Sequence, residues 1–90
     1  MLNINILKFA DYVLKKLPIK HKKQIIQKII TLATNPIPND SKVIKGFIEY
    51  RRADIGEYRI IYKFSNITLF VVLIGKRNDD EVYRKFKRLM

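Results

Sequence analysis

Arg51, Arg52, Arg59, Lys76 and Arg77 fall in or at the ends of segments that read as β-strands, and Tyr83 follows them near the start of a terminal helix. An arginine on a strand holds a planar fork of donors in a fixed direction, a geometry that grips a phosphate at two oxygens. Several of them around a hydroxyl make an oxyanion site, where fixed donors meet the charge that develops in a displacement at phosphorus. Each residue also has a plainer account. The arginines have carboxylates to pair with at Glu49, Asp54 and Glu57, and an aromatic in the first turn of a terminal helix packs on a sheet, as Val82 and Phe86 are placed to do. The two accounts of Tyr83 differ in where its hydroxyl points.

Other chemistries have little to work with. Cysteine is absent, which removes disulfides and thiol catalysis, and a single histidine leaves no His/Cys cluster for a structural zinc. His21 stands among Lys20, Lys22 and Lys23, which disfavour the imidazolium, and it reads as an exposed helix residue. No HExxH, P-loop or GxGxxG occurs. Asp79-Asp80-Glu81 reads as a helix start, because three consecutive side chains face different ways. No metal and no cofactor are expected.

The chain has 90 residues, room for one core and hence one domain over residues 1–90. Apolar residues at 48% and charged residues at 30% exclude a disordered tail, whose apolar content is too low to offset the entropy lost on ordering. Nineteen Lys and Arg against eight Asp and Glu give a net charge of +11, which favours polyanions or acidic partners. Most of that charge is remote from the arginines: residues 1–45 hold nine lysines against Asp11 and Asp40. Lysines of that kind form a solvated helix face whose sum attracts RNA through phosphate contacts. No run of about 18 apolar residues exists to span a membrane. The first residues resemble no secretory signal, so a cytoplasmic location is expected.

The elements that must position the arginines follow from the spacing of apolar residues. Leu2, Ile4 and Ile6 alternate as in a strand; Phe9, Ala10, Val13, Leu14 and Leu17 then follow a helical stripe that Pro18 ends. Ile19, Ile25, Ile26, Ile29, Ile30 and Ala33 make a second helix. Residues 35–41, dense in Asn, Pro, Asp and Ser, read as a long loop. Phe47 to Arg52 reads as a short strand. In the next, Tyr58, Ile60, Tyr62 and Phe64 share the face that should lie on the helices, with Arg59, Ile61 and Lys63 opposite. Ile67 to Ile74 is apolar apart from Thr68, as in a central strand covered on both sides, and the tail from Asp79 to Leu89 has the charge order of a short helix. The fold class is α+β: an N-terminal strand, a helical hairpin, a three-stranded antiparallel meander completing a mostly antiparallel four-stranded sheet, and a short C-terminal helix; that helix, or a partner, is the candidate cover of the second face.

Two runs, Asp54-Ile55-Gly56-Glu57-Tyr58-Arg59-Ile60-Ile61-Tyr62 and Ile74-Gly75-Lys76-Arg77-Asn78-Asp79-Asp80-Glu81-Val82-Tyr83, resemble the RelE/ParE superfamily of bacterial toxins, in particular the RelE branch of mRNA interferases. The likeness in sequence covers Phe47 to Leu89; the first half agrees in architecture. It implies a toxin of a type II toxin–antitoxin system, one domain long, that cleaves mRNA in the ribosomal A site. The 2′-hydroxyl attacks the adjacent phosphate without a metal, leaving a cyclic phosphate and a free 5′-hydroxyl. By position, Arg59 and Arg77 resemble the arginines that stabilise the pentacovalent phosphate, with Arg77 also a candidate proton donor to the leaving oxygen. Tyr83 resembles the tyrosine that acts as base or orients the nucleophile; tyrosine is in general a weak base at neutral pH, and neighbouring guanidinium groups favour its ionised form.

The lysines common before the Gly-Tyr-Arg run are replaced here by Tyr50, Arg51 and Arg52, of which Arg52 is the first choice to assist the nucleophile and Arg51 the second. Arg51, Lys76, Arg84 and Lys87 make up the expected RNA-binding set. The implied partners are the ribosome with its mRNA and a cognate antitoxin with an acidic segment, docking on Phe70, Val72 and Ile74 of the Arg59 face or along the helical hairpin. No membrane and no small-molecule cofactor are implied. The rival reading within the superfamily is a ParE-like inhibitor of gyrase without nuclease activity, which has no need of Tyr83 with Arg77. One geometric demand stands out. A two-residue hairpin at Ser65-Asn66 pairs Arg59 with Val72 and sends Arg77 to the opposite face, so the site requires a bulge or strand end, at Gly75, or a longer turn.

Overall fold

The alternating apolar residues at the start of the chain form β1 (Asn3–Ile6), and the change of period at Lys8 opens a helical hairpin, α1 (Lys8–Lys16) and α2 (Ile19–Thr34). The computed structural model describes residues 1–78 and 81–89. Asp11 in the first turn of α1 and Lys15 and Lys16 in its last match the helix dipole. Pro18 caps α2, whose Ile25, Ile29, Leu32 and Ala33 are buried. Ile26 and Ile30 of the expected stripe remain exposed.

Four strands follow: β2 (Ser41–Ile44), β3 (Phe47–Ile55), β4 (Tyr58–Phe64) and β5 (Thr68–Lys76); α3 (Glu81–Leu89) ends the described chain. Of the run Asp79-Asp80-Glu81, the first two residues lie outside the described ones. The sheet has five strands in the order β1-β5-β4-β3-β2, antiparallel except that β1 runs parallel to β5. The extra strand is β2, which the sequence hides. Ser-Lys-Val-Ile alternates too briefly to register beside the Asn and Pro before it, and it joins β3 through Lys45 and Gly46, the latter at φ 85, where glycine is favoured. The β3–β4 connection is two residues, Gly56-Glu57, with Gly56 at φ 58 as the first position of a tight hairpin demands.

The sheet divides two cores. Tyr58, Ile60 and Tyr62, with Phe64 at the edge, pack against Ala10, Leu14, Ile25 and Ile29 of the helical hairpin, as the alternation predicts. On the other face Val82 and Phe86 of α3 bury Ile44, Ile61, Val72 and Leu73. Phe86 is wedged edge-on between Phe47 and Tyr50, with ring centroids 5.0 and 4.9 Å away. The buried Tyr62 donates its hydroxyl to the Pro36 carbonyl at 2.8 Å, which pins the loop between the helical and sheet halves.

Register decides what faces α3. The β4–β5 connection is longer than two residues, with Phe64 opposite Leu69, and the ladder slips between Tyr62↔Val71 and Ile61↔Leu73, leaving Val72 as an inserted residue. A bulge turns every following side chain to the other face. Val72 and Leu73 therefore both enter the α3 core, while Ile74 goes to the helical hairpin. Gly75 comes to lie opposite Arg59. The bulge demanded by the sequence is thus present, three residues before Gly75.

Gly75 serves close approach. A Cβ there would stand 3.0 Å from Val82 Cβ and 3.3 Å from its Cγ2. Gly75→Ala should therefore push α3 off the sheet and destabilise the fold by about 1–3 kcal/mol, the usual cost of overpacking. Urea denaturation measures this; an unchanged midpoint would show that α3 yields freely.

His21 departs from its expected exposure. Its ring tilts against Tyr58 with centroids 5.2 Å apart, and its buried Nδ1 makes no hydrogen bond.

Candidate active site

The tight Gly56-Glu57 hairpin sets Asp54 of β3 directly across from Arg59 of β4. Cross-strand partners on one face stand close enough to pair. The Arg59 guanidinium donates from Nε to Asp54 Oδ1 at 2.7 Å and from Nη2 to Oδ2 at 3.1 Å. Its remaining nitrogen, Nη1, donates to the Tyr83 hydroxyl at 3.0 Å, and Cζ lies 5.1 Å from the centre of the Tyr83 ring. Arg59 is ion-paired, as the plainer reading has it, and the Tyr83 hydroxyl points to that arginine although the ring packs at the edge of the α3 core.

Arg52 shares the face and brings Nη1 to 3.9 Å from Asp54 Oδ2. Arg77 stands just past the end of β5, where its backbone N–H donates to the Glu57 carbonyl at 3.0 Å. The Arg59 guanidinium holds the Asp54 carboxyl below the usual carboxylate range against the opposing effect of burial, and the charges of Arg52 and Arg77 add to the lowering. Asp54 in turn raises the pKa of Arg59. Because the folded pKa of Asp54 is depressed, the stability that the pair contributes is present above the ordinary carboxylate pKa of about 4. It is lost as pH falls through the lowered value. The gap in urea midpoint between the wild type and Asp54→Asn should be constant from pH 7 to about pH 5 and close at lower pH; a gap that persists undiminished in acid would refute the pairing.

Beside this cluster, Lys45, Arg52, Arg84 and Lys87 line an open cleft of about 610 Å³ together with Val43, Ile44 and Tyr83. No carboxylate is among these lining residues, so the cleft concentrates positive potential and suits a polyanion. One wall belongs to β2 and its turn, which the sequence reading passed over, so Lys45 was missed with the strand that carries it. Asp54 entered that reading only as a counter-ion. Counting back across the Gly-Glu hairpin is the signal that puts it opposite Arg59.

The structure brings Arg52, Arg59, Tyr83, Arg84 and Lys87 to one face, sets the Arg77 backbone just past the end of β5, and leaves two expected contributors elsewhere. Arg51 alternates to the opposite face of β3, where Nε and Nη2 donate to Ser41 Oγ at 3.2 and 3.0 Å. Lys76 follows the bulge to the helical side and lines a groove with Val13, Leu17 and Tyr58. Among the described residues no three His, Cys, Asp or Glu side chains cluster as metal ligands do. No helix among them is long and apolar enough to cross a membrane.

Residues 5–81 match the family described as the ParE toxin of type II toxin-antitoxin system, parDE. The fold is that of several solved toxins. A mutant of the Escherichia coli toxin RelE in its free state superposes with a TM-score of 0.79 at 21% identity, over 99% of this chain and 98% of that one. The RelBE2 toxin–antitoxin complex of Mycobacterium tuberculosis contains a chain matching with a TM-score of 0.74 at 19% identity, over 84% and 98%. For the RelB-RelE antitoxin–toxin complex of Methanococcus jannaschii the values are 0.69 and 26%, over 91% and 98%. No curated protein matches the sequence.

Proposed function

The chain belongs to the ParE toxin family of type II toxin–antitoxin systems, and from that premise we propose that it is a metal-independent endoribonuclease, a single toxin domain over residues 1–90 that cleaves mRNA in the ribosomal A site and stops translation. The observation that carries this reading is the Tyr83 hydroxyl, turned onto Arg59 at the rim of a cationic cleft. The packing of the ring alone does not set that direction, and the hydroxyl's place beside a cation and the cleft supports a part in proton transfer.

In the reaction the 2′-oxygen bonds to the adjacent phosphorus and the P–O5′ bond breaks, giving a 2′,3′-cyclic phosphate and a 5′-hydroxyl. One proton must leave the 2′-hydroxyl and one must reach the 5′-oxygen. Tyr83 receives or relays the first. Arg77 stands near the leaving side as its donor, directly or through water. Arg59 and Arg52 aim fixed donors at the non-bridging oxygens, where charge builds in the pentacovalent state and where such donors stabilise most. Lys45, Arg84 and Lys87 hold flanking phosphates, a contact that positions RNA without reading its sequence.

An acidic antitoxin is the second part of the proposal, supported by the complexes in which two of the similar folds were solved. Its expected seat on the sheet is largely gone, because α3 buries Val72 and the bulge turns Ile74 away. The hairpin offers Phe9, Tyr12, Ile26 and Ile30 exposed among lysines, a surface that takes an amphipathic acidic segment.

One observation favours the gyrase-directed alternative: the family matched over residues 5–81 is that of the ParE toxin. Primer extension on ribosome-bound mRNA separates the two. Discrete new 5′ ends within the coding sequence are expected when the protein is added. Intact mRNA together with blocked supercoiling by purified gyrase would hand the case to the alternative.

A further inference from the structure

We infer that Asp54 is the positioning residue of this site: its carboxylate, bound to two prongs of Arg59, fixes the guanidinium at the angle that presents the third to the Tyr83 hydroxyl. The inference rests on the nuclease reading and adds to it a residue that touches neither RNA nor the proton in transit. Nε and one N–H of Nη2 are engaged by Asp54, at 2.7 and 3.1 Å, which turns Nη1 away from the carboxylate and onto the Tyr83 hydroxyl at 3.0 Å and leaves the second N–H of each Nη as a donor. A long side chain without such a clamp spreads over its rotamers, and entropy opposes gathering it again. The clamp is itself largely shielded from water, with the Arg59 side chain 14% exposed and that of Asp54 28%.

The carboxylate also answers a problem of like charge. Arg59 and Arg52 stand 2.7 and 3.9 Å from its oxygens, and two guanidinium groups share one corner because a negative charge sits between them. Asp54 is poorly placed to be the general base. Both its oxygens accept from Arg59, and the surrounding cations hold it ionised and weakly basic. Its charge also repels a phosphate arriving at the same arginines. Removing it should therefore separate rate from affinity: the reaction slows, while RNA binds as well or better.

The test uses the full chain with Asp54→Asn and Asp54→Glu. In single-turnover cleavage of ribosome-bound mRNA, Asp54→Asn should be slower by roughly 10- to 100-fold, the scale of a misplaced catalytic group, and Asp54→Glu should recover part of the loss. A short RNA oligonucleotide with 2′-O-methyl sugars, which cannot supply the attacking hydroxyl, titrated without ribosomes, should bind Asp54→Asn as tightly as wild type or more tightly. In the Tyr83→Phe background the same substitution should cost less than about 3-fold, because coupled residues lose their effect together. The Arg59 Nε–H resonance, slow to exchange in the wild type, should broaden or vanish in Asp54→Asn. Cleavage by Asp54→Asn at the wild-type rate, weakened oligonucleotide binding, or a full multiplicative loss on Tyr83→Phe would each overturn the assignment. If the wild type cleaves no mRNA, the nuclease reading falls by itself. The Arg59 resonance then decides the structural claim, and one that stays sharp in Asp54→Asn overturns it.

Discussion

Tyr83→Phe is expected to slow cleavage of ribosome-bound mRNA by roughly 10²- to 10⁴-fold, the range for a lost acid or base, while leaving the fold in place. The ring keeps its packing at the edge of the α3 core, and Val82 and Phe86, which are buried, hold the helix without it. What disappears is one acceptor. Arg59 Nη1 then loses its 3.0 Å partner, so the stability cost should be about 1–3 kcal/mol, that of a part-buried charged donor left without it. Single-turnover rates and urea midpoints measured on the same preparations check both halves. Cleavage at the wild-type rate would make Tyr83 a packing residue and remove the central actor of the nuclease reading.

Arg59→Ala should be nearly as damaging, by roughly 10²- to 10³-fold, because it takes away a fixed donor from the developing phosphate charge. It also leaves the Tyr83 hydroxyl without its donor and Asp54 with only the distant Arg52 and Arg77. Arg59→Lys tells geometry from charge. A lysine keeps the cation but cannot span both Asp54 oxygens and the tyrosine at once, so it should restore little activity. Arg77→Ala should fall in the same range as Arg59→Ala. Lys22→Ala is the control, since one lysine on the helical hairpin should cost only a modest, salt-sensitive share of binding. Recovery of most activity by Arg59→Lys would show that a point charge suffices and that the fork is incidental.

How much of this was legible without coordinates depended on the range over which each signal acts. The face shared by Tyr58, Ile60, Tyr62 and Phe64 followed from alternation within a single strand, and the packing of Val82 and Phe86 from spacing within a single helix. β2 was hidden because four residues are too few to declare a period beside a proline-rich loop. The expected break at Gly75 was needed, but it lies at Val72, where a run of valine, leucine and isoleucine gives no local sign of which residue is extra. That displacement moved Ile74 and Lys76 to the helical side. Arg51 and Arg52, adjacent and alike in sequence, part to opposite faces; alternation puts Arg52 with Asp54 two residues on, and pairing with β4 sets Asp54 across from Arg59. His21 was misplaced because its lysine neighbours spoke for solvent, while the Tyr58 ring that half-covers it comes from across the fold.

β1 has β5 as its sole neighbour in the sheet, with Asn3 beside Thr68. During synthesis the first strand made must therefore wait for nearly the whole sheet before it has anything to pair with. Until β4 and β5 leave the ribosome, the helical hairpin has no surface to lie on, and Tyr83 emerges later still. Contacts so far apart along the chain form late and slowly. For a toxin this ordering has a consequence in time: the corner that holds Arg59 and Tyr83 cannot assemble until nearly all of the sheet and α3 have been made.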